Sequence, residues 1–154
     1  MQLASFVVVL SLLGMPATAQ QVPPQPPAAV EATKALSGLV ACRAVNNHAL
    51  GLANLANALT RSSAAHDAAR RMHALDDLYH RTTKVFLETA SAEGLRPDAL
   101  LAGAREVYGQ TLGNLIGGFG QTMISHPENI VAHIEAVNSQ QKSCKDMLME
   151  VNSQ

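Results

Sequence analysis

The chain has 154 residues, 47% of them hydrophobic and 15% charged, with 11 basic side chains against 12 acidic ones. A balance so near neutrality argues against nucleic acid or an anionic membrane surface as partner, since both demand concentrated positive charge. Seven arginines to four lysines, together with abundant alanine, read as the composition of a GC-rich bacterial genome.

Residues 1–19, MQLASFVVVLSLLGMPATA, have the pattern of a secretory signal peptide. An apolar run from Leu3 to Met15 is followed by Pro16 and an A-x-A site, Ala17-Thr18-Ala19. The run is shorter than the roughly 20 apolar residues that span a bilayer. Its n-region carries no Lys or Arg, so a retained anchor is the alternative to cleavage. Cleavage after Ala19 is the expectation, leaving 135 residues, one domain's worth of chain and no stable membrane span. Export from such a genome places the mature protein in the bacterial periplasm.

Gln20 to Ala28, QQVPPQPPA, is a Pro-rich leader expected to be extended and flexible. Residues 29–154 then read as a single all-α domain, because Pro recurs only at 97 and 127 and β-branched runs are absent. The first helix is expected from about Ala28 to Leu59, with Leu39, Cys42, Val45, Ala49, Leu52, Ala56 and Leu59 as its apolar stripe. Arg43, Asn47, Asn54 and Arg61 mark its wet face. The second opens at Ser62 or Ser63 as N-cap and stops at Gly94, a residue suited to the left-handed position after a helix. Its apolar side is Ala65, Ala68, Met72, Leu75, Tyr79, Thr82 and Phe86.

The third helix begins at Pro97, apt for a first helical position, with Asp98 favourable at the positive end of the dipole. The fourth opens with Ser125-His126-Pro127-Glu128, which has the form of a capping box, and carries Ile130, Ile134, Val137, Gln141, Cys144, Leu148 and Val151. Four amphipathic helices with short connections predict an up-down-up-down four-helix bundle.

Two cysteines in an exported chain predict one disulfide. Cys42 lies 17 residues before Leu59 and Cys144 lies 17 residues after Pro127. At 1.5 Å per residue both sit about 25 Å from the shared end of the bundle. Both also fall on apolar stripes, so a Cys42–Cys144 bridge between first and last helices satisfies level and face together.

VYGQTLGNLIGGFGQTMISHP, Val107 to Pro127, bears no Asp, Glu, Lys or Arg and carries Gly109, Gly113 and Gly117 at every fourth position. Gln110, Asn114 and Gln121 disfavour a membrane span, and GGFG lacks the Lys and strand of a phosphate loop. The stripe is read as a seam of small residues packed against Ser139 and Ser143. On that reading Gly113→Leu costs more than about 2 kcal/mol through overpacking. Gly117-Gly118-Phe119-Gly120 is a point where the helix could kink or end early.

Five of the six histidines fall in two heptad-spaced sets: His66, His73 and His80, and His126 and His133. His73, Asp77 and His80 stand at i, i+4 and i+7, a spacing that can present imidazole and carboxylate to Zn²⁺ or Cu²⁺. A solvated face is the ordinary use of such a stripe, and a surface that gains charge as pH falls toward about 6 is a third. No C-x-x-C-H haem attachment occurs, and nothing in the spacing pairs Met72, Met123, Met147 or Met149 with a histidine. No cofactor is assigned, and Zn or Cu is the one considered.

No catalytic residue is assigned either. The chain lacks a G-x-S-x-G elbow, an H-E-x-x-H helix and a phosphate loop, and adjacent Asp76 and Asp77 diverge by about 100° on a helix. The first functional expectation is therefore a non-enzymatic protein acting through another envelope or extracellular protein, as adaptor, chaperone or inhibitor. The alternative is a small-ligand or divalent-metal-binding bundle that uses surface histidines. A hydrolase of unrecognised type is the third.

Overall fold

The computed structural model describes residues 27–153, and within them four α-helices run alternately up and down. They are α1 (Pro27–Thr60), α2 (Ser63–Ala92), α3 (Pro97–Ser125) and α4 (Ile130–Val151), with a single 3₁₀ turn, Pro127–Asn129, before the last. The expected signal peptide and all but the end of the expected Pro-rich leader lie outside the described residues. Pro27 and Ala28 belong to α1, so helix replaces the last two leader positions.

The organising element is α1. Its buried residues Leu36, Leu39, Val40, Ala44, Val45, Asn46, His48 and Ala49 point in all directions around the axis, not along one stripe. A helix buried all round has neighbours on every side. Accordingly α1 packs against α2, α3 and α4, whereas α2 and α3 scarcely meet. The core gathers at the lower half, where Leu36, Leu39 and Val40 meet Tyr79, Ala90, Leu100, Ala104 and Leu148.

The turns follow local chemistry. Gly94 holds φ +81 and closes α2 with Gly94 N–H donating to the Ser91 carbonyl and Leu95 N–H to that of Ala90. Glycine reaches this region without a Cβ penalty, which is why the helix stops there. Pro97 opens α3 as expected. Ser125 does not open the last helix, however. It ends α3, and the 3₁₀ turn intervenes with no side-chain cap, so the capping box does not form. Pro127 removes a donor that the turn does not need.

The Cys42–Cys144 disulfide is present, with Cα atoms 5.2 Å apart, and joins α1 to α4. Asn46 supports it one turn on: fully buried, it donates from Nδ2 to the Met72 carbonyl and accepts at Oδ1 from Gln141. Asn46 was not among the expected core residues, and it ties three helices together.

The glycine seam is corrected. Gly109, Gly113 and Gly117 are exposed, as are Ser139 and Ser143, and a Cβ added at any of the three glycines would meet nothing within 4 Å. The small face of α3 looks outward because α3 turns Leu100 and Ala104 toward α1. Nor does the GGFG segment end the helix, for α3 is continuous to Ser125. The far end of the α1 stripe also fails to bury: Ala56 is exposed and Leu59 is 76% exposed. No described helix is long and apolar enough to cross a membrane.

Candidate functional site

Three helices spaced evenly about a fourth at a packing distance near 9 Å would stand about 16 Å from one another, well beyond the 8–10 Å of a packed pair. The gap so created between α2 and α3 is a groove of about 920 Å³. Its floor is α1, through Val40 and Arg43. One wall is α2, through Thr83 and Leu87, and the other is α3, through Leu101, Ala104 and Tyr108. The volume falls within the range of small-molecule pockets, roughly 300–1,000 Å³.

Polar groups stand at defined places around this apolar lining. Arg43 is held in a two-pronged pair with Asp76, Nε to Oδ1 at 2.7 Å and Nη2 to Oδ2 at 3.1 Å. These hydrogen bonds hold the Asp76 carboxyl below the usual carboxylate range and push the Arg43 guanidinium up. Asn47 donates to the Tyr108 hydroxyl at 2.8 Å and so braces the α3 wall. Arg43 and Asn47, expected on a wet face, are partly buried and cross-link the helices instead.

The rim carries His80, Lys84 and Arg105, all exposed, against one carboxylate, Glu88. Lys84 reaches Glu88 only loosely, at 3.8 Å, and Arg105 has no carboxylate within ion-pairing distance among the described residues. The Thr83 hydroxyl is buried on the α2 wall and has no hydrogen-bond partner among the described residues. A hydroxyl in that state costs about 1–3 kcal/mol relative to a satisfied one. Beneath the groove Tyr79 is 1% exposed, and burial pushes its phenol up to about 12.

His73, Asp77 and His80 lie exposed on α2. Among the described residues no group of three or more His, Cys, Asp or Glu is placed to hold a metal ion. The trio shares a helix face without converging, and His80 is the member that reaches the groove rim. His126 is exposed at the α3–α4 turn, 3.3 Å from Glu128.

A second cluster was not foreseen from the sequence. His48, outside both heptad sets, is 6% exposed, and its Nε2 stands 3.5 Å from Nε2 of His133 on α4. Phe119 of α3 packs on both rings, with centroids 6.0 Å from His48 and 5.4 Å from His133. Desolvation, and then the neighbouring His133, lower the His48 pKa. Periodicity did not single this residue out, because the whole of α1 around it is buried.

No protein-family model, curated protein or solved structure matches the chain. The functional reading rests on these residues alone.

Proposed function

We propose that this protein is a non-enzymatic binding protein that takes a small amphiphile in the α2–α3 groove, apolar body inward and a single anionic head at the rim. The carrying observation is the juxtaposition of an apolar trough of about 920 Å³ with Lys84 and Arg105 along its edge. Burying an acyl chain against Leu87, Leu101 and Tyr108 stabilises the complex by about 0.8 kcal/mol per methylene. Arg105 supplies a planar fork of donors suited to a carboxylate or phosphate. Thr83 adds a hydroxyl that a bound polar group can satisfy after rotation about χ1.

Calorimetric titration with dodecanoate, with dodecanol as the uncharged control, tests this. Wild type should bind dodecanoate with one-to-one stoichiometry, and Lys84→Glu/Arg105→Glu should weaken it at least tenfold while leaving dodecanol little changed. Absence of dodecanoate binding to wild type, or equal binding by the charge-reversed variant, contradicts the reading.

A second reading, interaction with another envelope or extracellular protein, is favoured by one feature. Leu59 (76% exposed), Ile124 (85%) and Val131 are exposed near the end of the bundle farthest from the core. Clusters of exposed large apolar side chains mark interaction surfaces. Leu59→Asp/Ile124→Asp should abolish cross-linking to a partner in the cells of origin; unchanged cross-linking would remove this reading. An oxidising compartment such as the periplasm accords with the disulfide and with the expected export signal.

A further inference from the structure

His48 and His133 meet head-on. Their rings stand nearly perpendicular, at 85° with centroids 5.8 Å apart, and Nε2 faces Nε2 at 3.5 Å, the long limit of a hydrogen bond. With one ring carrying its hydrogen on Nε2 and the other on Nδ1, a single N–H points at a lone pair. Once both rings are charged, each Nε2 bears a hydrogen and N–H faces N–H.

Nothing beside the pair offsets positive charge. His48 is buried, and neither ring has a carboxylate within ion-pairing distance among the described residues. On the α3 side, residues 107–125 contain no Asp, Glu, Lys, Arg or His. There Phe119 packs on both rings, and the Tyr108 hydroxyl accepts from Asn47. On α2, Ala69 is buried while Arg70, Arg71 and His73 are exposed, and Asp76 is taken by Arg43. On α4, Glu135 is exposed, and Glu128 lies beside His126.

We propose that the His48–His133 contact is a pH-sensitive latch, which holds the N-terminal half of α4 on α1 while its rings are neutral and lets go on acidification. Desolvation, and then His133, hold the His48 pKa below its ordinary value. The stability that such a ring contributes is complete above the unfolded value near 6.5 and is lost as pH falls through the lower native value.

The hold of α4 is uneven, which lets a local charge move it. Val137 and Leu148 are its buried residues, and Gln141 and Cys144 tie its C-terminal half to α1. Before Val137, its hydrogen bond to α1 is the one at His133. A segment with so few buried contacts opens at low free energy. Opening lets both imidazoles take up protons in water and bares Phe119, while the disulfide keeps the helix tethered. None of these residues lines the α2–α3 groove, so the latch is separate from the proposed ligand site.

Amide exchange protection and histidine ring resonances of the oxidised chain, followed from pH 7.5 to 5, test this. Protection over residues 130–137 is expected to fall at least tenfold relative to residues 141–151, in step with the titration of the His48 ring. His133→Gln should remove that fall, and His126→Gln should leave it in place. The proposal is overturned if residues 130–137 stay protected at pH 5, if all helices lose protection together, or if the fall survives His133→Gln. Where His133→Gln folds poorly, the wild type decides. A loss of protection that tracks the His126 ring instead of His48 overturns the latch.

Discussion

Arg43 and Asp76 show how a charged pair behaves when three helices enclose it. The two-pronged hydrogen bond spans α1 to α2 and keeps both side chains about seven-tenths buried, at 30% and 26% exposure. A carboxyl whose pKa is depressed on folding stabilises the native state fully above its unfolded value, near 3.9. That contribution is lost as pH falls through the lower native value. The melting temperature should therefore drop on acidification below about pH 4, and Asp76→Asn should melt lower at neutral pH with a shallower acid slope. Parallel acid slopes for the two proteins would show that the pair is not coupled to folding. Asp67 with Arg70 and Asp98 with Arg96 are depressed by the same cause, but they are exposed and screened. At this scale the sequence misled in a consistent way. Arg43 and Asn47, read as part of a wet face, and Asn46 and His48, given no role, are polar residues on the hub helix, where apolar periodicity carries no signal for burying a polar side chain.

Elements were far more legible than side-chain roles. Gly94 and Pro97 bracket the α2–α3 turn for reasons that act within a few residues, φ freedom and a missing donor, and so could be read locally. Ser125 to Glu128 could not, because Pro127 allows either a first helical turn or the separate 3₁₀ turn that forms. The α3 glycines were read as a seam because small residues at every fourth position permit close packing; nothing in the helix itself says which face meets α1. Since Gly109, Gly113 and Gly117 face open space, their cost is helix propensity alone. Gly113→Ala should stabilise the fold by about 0.5–1 kcal/mol, and Gly109→Ala likewise. Urea unfolding measures this, and a loss of stability in either variant would mean that the face is covered in solution. The expected penalty for Gly113→Leu does not hold for an open face.

For the whole molecule, the disulfide could be placed from the sequence because level along antiparallel helices follows from residue rise alone. The groove could not, because it arises from how three helices divide the surface of a fourth, and periodicity gives each helix a face without saying which faces meet. The bridge closes a loop with a sequence separation of 102. By the chain-entropy account its loss should cost about 4–5 kcal/mol. Cys42→Ala/Cys144→Ala should show this in urea, with α4 amides exchanging well before those of α1, since α4 buries so little of itself. Uniform exchange across all helices would indicate that the bundle opens only as one unit.

The central claim is that the α2–α3 groove is the binding site. Amide chemical shifts of the isotopically labelled chain during titration with dodecanoate test it most directly. Saturable changes should concentrate at residues 80–91 and 97–108, with Val40 and Arg43 following and the Leu59–Ile124 end silent. Changes confined to that apolar end, or none at all, would contradict the account.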